Sequence, residues 1–108
     1  MNKRLNLKVV ILGASGMLGS EIYRVMLEKE DLEVFGTVRS KINKTFPFYK
    51  ENIVNAIDAL NEASWKEYLI QEKPDVVINC IGITNKHVET NHDKNLCIQI
   101  NSIFPHKL

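Results

Sequence analysis

Apolar and polar positions recur along the chain with two different periods, which is the pattern of strands followed by helices. Residues 9–12 are four consecutive apolar residues, and such a short run is typical of a parallel strand buried on both faces. Directly afterwards, apolar positions recur at the spacing of one helix face: Leu18, Ile22, Val25 and Met26. The pattern therefore predicts a buried strand, a tight turn and a helix.

The turn between this strand and this helix contains three glycines, Gly13, Gly16 and Gly19. The first turn of a helix has unpaired backbone N–H groups and a partial positive charge, so it can bind a diphosphate where no side chain blocks the approach. In such a loop the first glycine allows the sharp turn, the second the approach of the phosphates, and the third close packing of helix on strand. We therefore predict a diphosphate-binding loop, with a tight turn that binds no ligand as the alternative.

Residues 33–38 predict a second strand, which ends just before Arg39. Open α/β sheets bind ligands at the carboxyl ends of their strands, where NAD enzymes usually place an acid for the ribose 2′-hydroxyl. Here the acids Asp31 and Glu33 lie at the beginning of the strand, and Arg39 lies at the correct end. Because a guanidinium matches phosphate oxygens, the sequence favours NADP over NAD. A solvated surface arginine is the alternative.

The middle of the chain predicts a third strand and a second helix. Residues 53–57 form a short apolar segment that ends at Asp58. This carboxylate could accept a hydrogen bond from the adenine amino group or cap the next helix, and both interpretations stay open. Ser64 and Glu67 have the spacing of a capping box at the start of that helix, which Pro74 would end.

The last third of the chain predicts a fourth strand and a final helix. Residues 75–83 are almost continuously apolar, which predicts a strand buried on both faces, and Gly82 near its end would let a dinucleotide lie against the backbone. Pro105 has no N–H to donate to the carbonyl of Asn101, four residues earlier. The final helix should therefore kink there, or else end near Phe104.

Composition leaves one globular domain as the expectation. The chain has 108 residues, 44% of them hydrophobic and 25% charged, and a net charge of +1, which favours neither nucleic acid nor an anionic membrane as a partner. Residues 9–12 are too short for the apolar core of a signal peptide, and no apolar run approaches the length of a membrane span. Cys80 and Cys97 match no metal-site spacing, so we expect no metal, reduced thiols and a cytoplasmic protein.

Together these motifs resemble the extended short-chain dehydrogenase/reductases, and within them the sugar-nucleotide reductases typified by dTDP-4-dehydrorhamnose reductase. The resemblance rests on residues 13–19, the position of Arg39, Asp58, residues 73–82 and the segment around Asn101. It implies an α/β fold, a Rossmann-like doubly wound parallel sheet of strand order 3-2-1-4 that is incomplete relative to the family. It also implies reduction of a nucleotide-linked 4-keto sugar, in nucleotide-sugar metabolism such as dTDP-rhamnose and polysaccharide biosynthesis.

The same resemblance implies which residues contact the dinucleotide. The diphosphate would be bound by the amides near Met17 and Leu18, the 2′-phosphate by Arg39, and Thr84 would lie toward the nicotinamide ribose. Asn101 matches a family asparagine that helps to order the active site. The full set of implied contacts is Gly13, Ser15, Gly16, Met17, Leu18, Gly19, Arg39, Asp58, Cys80, Ile81, Gly82 and Thr84.

One departure from the family is large, because the chain contains no Tyr-x-x-x-Lys. Its tyrosines, Tyr23, Tyr49 and Tyr68, are followed four residues later by Leu27, Ile53 and Glu72. We therefore expect residues 1–108 to be the NAD(P)-binding N-terminal portion of a longer protein, with no catalytic residue of their own. A non-catalytic dinucleotide sensor and an epimerase or dehydratase of the same superfamily remain alternatives. The fourth strand would leave an apolar edge that favours self-association.

Overall fold

The computed structural model describes residues 6–39, 52–82 and 91–108, which form a four-stranded parallel sheet with helices on both faces. The elements in chain order are β1 (Leu7–Leu12), α1 (Met17–Leu27), β2 (Leu32–Thr37), β3 (Ile53–Val54), α2 (Glu62–Glu72), β4 (Val76–Asn79), α3 (Asn91–Ile98), a π-helix (Gln99–Ile103) and α4 (Phe104–Lys107). The strand order β3-β2-β1-β4 confirms the predicted doubly wound, Rossmann-like sheet.

The first strand is the centre of the sheet, as its continuous apolar run predicts. β1 pairs with β2 from Leu7 opposite Leu32 to Leu12 opposite Thr37, and with β4 from Val9 opposite Val76. The last four residues of β1 are buried because helices cover both faces of the sheet. One cluster of buried residues lies against α1. The other lies against α2 and the C-terminal helix, which comprises α3, the π-helix and α4 together.

The buried face of α1 agrees with the predicted one in part, because Ile22 and Met26 are partly buried and pack against the core. Gly19 and Tyr23 are its buried residues, whereas Leu18 and Val25 are exposed. A Cβ on Gly19 would overlap the carbonyl oxygen of Gly13, so the helix presents its smallest residue to the turn at this point. Leu18 and Val25, the other two residues of the predicted stripe, therefore lie outside the buried face.

The third strand is shorter than the predicted residues 53–57. Only Ile53–Val54 pairs with β2, and the chain leaves the ladder where Ala56 adopts a positive φ of 65°. The amide of Ile57 still donates to the carbonyl of Val38 at 3.2 Å, so this segment continues alongside the end of β2. Its side chain is buried.

The fourth strand is shorter and more exposed than predicted. Val76–Asn79 forms the strand, and Val76 and Val77 are 42% and 38% exposed. Within the described part of the chain, β4 is an edge strand that pairs with β1 alone. The prediction of burial on both faces is therefore wrong, since burial depends on what covers the strand and not on its composition.

The second helix begins earlier than the predicted capping box. Asn61 is the N-cap, and its Oδ1 accepts from the amide of Ser64 at 3.3 Å. The Ser64 hydroxyl instead donates to the carbonyl of Asn61 and accepts from the amide of Asp58. Asp58 is therefore not the helix cap either. The predicted end is confirmed, because Lys73 terminates the helix in the left-handed conformation just before Pro74.

The final helix continues past Phe104, so the alternative in which it ends there is wrong. Gln99–Ile103 forms a π-helix, and the amide of Phe104 donates to the carbonyl of Gln99, five residues earlier. The widened turn precedes Pro105, which lies in the first turn of α4. Nowhere in the described segments is a helix long and apolar enough to cross a membrane.

Candidate functional site

A cleft of about 280 Å³ lies at the carboxyl ends of the strands. Parallel sheets bind ligands at this edge, and the volume is near the lower limit of small-molecule sites. The residues that line it are Gly13, Ser15, Gly16, Arg39, Ile57, Asp58, Ala59, Cys80, Ile81, Gly82 and Ile100.

The glycine loop forms one wall of this cleft, and its shape is held by the neighbouring strand. Gly13 has a φ of +81°, a conformation that L side chains rarely adopt. The amides of Gly13 and Ala14 both donate to the carbonyl of Thr37, at 3.1 and 2.8 Å. Because both bonds end at the last residue of β2, the loop is tied to the strand that leads to Arg39.

The start of α1 has the geometry of an anion site. Gly16 is the N-cap, and no side-chain hydrogen bond caps the helix. The first helical bond runs from the amide of Ser20 to the carbonyl of Gly16 at 2.8 Å, so the amides of Met17 and Leu18 precede it. Both of these side chains are exposed, Met17 by 94% and Leu18 by 64%, and neither fills the space above the loop.

Two charged residues line the same cleft from the ends of neighbouring strands. Arg39 is exposed and follows β2, while Asp58 follows the segment after β3. Asp58 Oδ1 accepts from the amide of Leu60 at 2.9 Å, a local turn that holds the carboxylate at the cleft. The amide of Asp58 donates to the Ser64 hydroxyl at 3.0 Å, which ties the same turn to α2.

The residues that directly follow β4 form the opposite wall of the cleft. The amide of Cys80 donates to the carbonyl of Leu12 at 2.8 Å, and the amide of Ile81 donates to Asn79 Oδ1 at 3.0 Å. Burial raises the pKa of the Cys80 thiol. A Cβ on Gly82 would lie 3.3 Å from Asn101 Oδ1, so the C-terminal helix meets the backbone at the rim of the cleft. Cys80 and Cys97 are free thiols.

The structure brings most of the predicted contact residues together. Those that line the cleft are Gly13, Ser15, Gly16, Arg39, Asp58, Cys80, Ile81 and Gly82. Met17 and Leu18 do not line the cleft and lie in the first turn of α1, directly after Gly16. Gly19 is buried beneath the loop, and Thr84 lies outside the described residues.

Three lining residues are absent from the predicted set, Ile57, Ala59 and Ile100. Ala59 directly follows Asp58 in the chain. Ile57 could have been found from its position directly before Asp58. Ile100 has no local signal, because its place depends on where the last helix packs. Across residues 6–39, 52–82 and 91–108 there is no group of His, Cys, Asp or Glu side chains placed to hold a metal ion.

A strand–glycine turn–helix unit with a cleft at the switch between β1 and β4 defines the nucleotide-binding Rossmann class. Residues 9–108 match the NAD dependent epimerase/dehydratase family, and the chain belongs to this family. The predicted resemblance to the extended short-chain dehydrogenase/reductases is thereby confirmed at the level of the superfamily.

Solved structures of this superfamily share the fold. The short chain dehydrogenase from Leptospira borgpetersenii with bound NAD+ is 23% identical, with a TM-score of 0.71 over 94% of this chain and 42% of that one. The UDP-glucuronic acid 4-epimerase from Bacillus cereus, in complex with UDP-glucuronic acid and NAD, is 19% identical, with a TM-score of 0.70 over 94% and 35%. The NADPH-bound carbonyl reductase from chicken fatty liver is 21% identical, with a TM-score of 0.69 over 98% and 46%. The chain therefore spans less than half the length of each.

Proposed function

We propose that this chain is the NADP-binding half of an oxidoreductase that reduces a nucleotide-linked 4-keto sugar. The observation that carries the proposal is the convergence of the glycine loop, Arg39 and Asp58 on one cleft. The adenosine part of NADP requires three groups. These are an anion site for the diphosphate, a cation for the 2′-phosphate and an acceptor for the adenine amino group. The family match and the dinucleotides named with the similar structures support the same ligand class.

The glycine loop has room for the diphosphate. A Cβ on Gly16 would meet only the carbonyl oxygen of Gly13, at 3.6 Å, so the space on its cleft side is open. The amides of Met17 and Leu18 would donate to the phosphate oxygens, and the helix dipole adds partial positive charge there. Ser15 lines the same wall and can donate its hydroxyl.

The remaining lining residues suit the adenosine part. Arg39 would bind the 2′-phosphate and Asp58 would accept from the adenine amino group, while the backbone from Cys80 to Gly82 passes under the ribose. Thr84, outside the described residues, would lie toward the nicotinamide ribose. A cleft near the lower limit of ligand-site volumes fits this half of the dinucleotide better than all of it.

The chain's contribution to chemistry is to bind and orient the dinucleotide. When bound, the nicotinamide supplies or accepts the hydride, and the proton of the family reaction belongs to a Tyr-x-x-x-Lys that this sequence does not contain. Asn101, which lies against Gly82, would support the order of the site and does not replace that tyrosine.

The test is calorimetric titration of the protein with NADP+ and with NAD+. We expect NADP+ to bind about ten- to a hundredfold more tightly, because the guanidinium adds charged hydrogen bonds to the 2′-phosphate. Equal affinities would overturn the preference for NADP. If neither dinucleotide bound, the proposal would fail and the chain would be a Rossmann-like domain that binds no dinucleotide.

An epimerase or dehydratase is the second candidate, favoured by the family match and by the similarity to UDP-glucuronic acid 4-epimerase. The two reactions differ in their use of cofactor, since a reductase consumes NADPH, whereas an epimerase uses an oxidised dinucleotide that it regenerates in each turnover. NADPH absorbance separates them when it is followed in the full-length protein, to which the Tyr-x-x-x-Lys would belong, after a nucleotide-linked 4-keto sugar is added. Dinucleotide binding by the full-length protein without turnover of any nucleotide sugar would instead support a sensor or scaffold.

The cellular compartment and the self-association of the protein are also proposals. Two free thiols are consistent with a reducing compartment, and we place the protein in the cytoplasm. The exposed apolar edge of β4 favours self-association, because its unpaired backbone groups can pair with a second chain. Neither nucleic acid nor a membrane is part of this proposal.

A further inference from the structure

The C-terminal helix is anchored at one end and faces the cleft at the other. Phe104 is buried against Trp65, with ring centroids 5.4 Å apart in an edge-on arrangement, and Lys107 pairs with Glu62 at 3.3 Å. One turn earlier, Ile100 is 7% exposed and lines the cleft, and Asn101 lies against Gly82. The direction in which Ile100 points relative to Phe104 therefore decides which side chain of the helix lines the cleft.

The π-helix lies between the anchor and the cleft, and Pro105 explains why it is there. In a regular α-helix, the ring of Pro105 would clash with the carbonyl of Asn101, to which it cannot donate. The observed bond from Phe104 N–H to the carbonyl of Gln99 widens this turn instead. It also places Pro105 in the first turn of α4, where a proline needs no N–H.

The widened turn changes the direction of Ile100 relative to Phe104. A π-turn contains about one residue more than an α-turn, and each residue of an α-helix advances by about 100°. Because Phe104 is held by Trp65, removal of the extra residue from the turn would rotate the preceding residues, and Ile100 would leave its position in the cleft.

We propose that Pro105 is a positioning residue for the dinucleotide, which acts by enforcing the π-turn that presents Ile100 to the cleft. Ile100 lines the cleft together with Ile57 and Ile81, and these aliphatic side chains suit the flat apolar face of a purine. The inference rests on the proposed function, since it deepens the adenosine part of that site.

The test compares Pro105→Ala with Pro74→Ala, a second proline-to-alanine change, at a residue that does not line the cleft. Affinity for NADP+ is measured by calorimetry. We expect Pro105→Ala to weaken binding about five- to tenfold, the loss of one aliphatic contact, and Pro74→Ala to leave it within about twofold. Methyl NMR gives a readout independent of affinity: NADP+ should shift the Ile100 methyl in the parent protein and much less in Pro105→Ala. The Ile103 methyl serves as the internal reference.

Each outcome decides the proposal. Equal affinities for Pro105→Ala and the parent protein, or an unchanged response of the Ile100 methyl, would overturn the role of Pro105 while the proposed function stands. If the parent protein bound no NADP+, the proposed function would fail and this inference with it. Should Pro105→Ala not fold, Ile100→Ala provides the second test, because it keeps the π-turn. It should weaken NADP+ binding by a similar factor, and unchanged binding would again overturn the proposal.

Discussion

Gly19 packs directly on Gly13: a Cβ at position 19 would overlap the carbonyl oxygen of Gly13 and lie 2.9 Å from its carbonyl carbon. The atoms it would meet are backbone atoms, which cannot rotate away as a side chain can. Gly13 is in turn held by the carbonyl of Thr37. The start of α1, the glycine loop and the end of β2 are thus joined by packing and hydrogen bonds beneath the cleft.

Gly19→Ala should therefore destabilise the fold. We expect the free energy of unfolding to fall by about 2–3 kcal/mol, because an added methyl in a packed contact forces the backbone to move. Urea denaturation measures the effect. Gly16→Ala is the matched control, since its Cβ has ordinary contacts and only the weaker capping of alanine, about 1 kcal/mol, is expected to be lost. Equal stabilities of Gly19→Ala and the parent protein would contradict the packing described.

Arg39→Ala should remove the preference for NADP+. We expect affinity for NADP+ to fall about ten- to a hundredfold and affinity for NAD+ to stay nearly constant, because only NADP+ has the 2′-phosphate. Calorimetry of both dinucleotides gives the ratio. Arg24→Ala is the control, since Arg24 pairs with Glu21 on the exposed side of α1. An unchanged ratio in Arg39→Ala would show that this guanidinium does not meet the phosphate.

Cys80 should report on the occupancy of the cleft through its reaction with iodoacetamide. The thiolate is the reactive form, and burial raises the pKa of Cys80, so at neutral pH less thiolate is present than for an ordinary thiol. The rate should therefore rise as the pH passes above the usual cysteine range. NADP+ should slow alkylation of Cys80, which lines the cleft, and leave Cys97 unaffected. Mass spectrometry distinguishes the two sites, and equal protection of both would argue against binding in the cleft.

The exposed edge of β4 should drive self-association. Sedimentation velocity over a range of protein concentrations should show larger species as concentration rises, and Val77→Lys should suppress them, since a charge on an edge strand opposes pairing. Ile70→Lys, an equally charged change at an exposed residue of α2, is the control and should leave association intact. A monomer at every concentration would refute the idea.

The fold could be predicted well from local patterns. Four apolar residues before the glycines located β1, and the turn conformation of Gly13 and the packing of Gly19 agree with the roles assigned to them. The end of α2 before Pro74 was predictable because proline restricts the residue before it. In each case the physical cause acts between residues that are close in the chain, so a local pattern can indicate it.

The features that could not be predicted arise between distant residues. Gly36 is an example, since a Cβ there would lie 2.7 Å from that of Ala14 and 3.2 Å from the Tyr23 ring. Nothing beside it in the sequence indicates this close approach of β2 to α1. The early end of β3 at Ala56 and the early cap at Asn61 likewise depend on how the segment after the strand turns toward α2.

By itself, then, the sequence determined the order of elements, the glycine loop and the arginine at the correct end of β2, because short-range periodicity and backbone restrictions specify them. The tertiary structure alone decided that Gly19 and Tyr23 are the buried residues of α1, that Val76 and Val77 are exposed, and that Ile100 completes the cleft. These depend on close approach and on burial, which are properties of the packed molecule and have no counterpart in the order of residues.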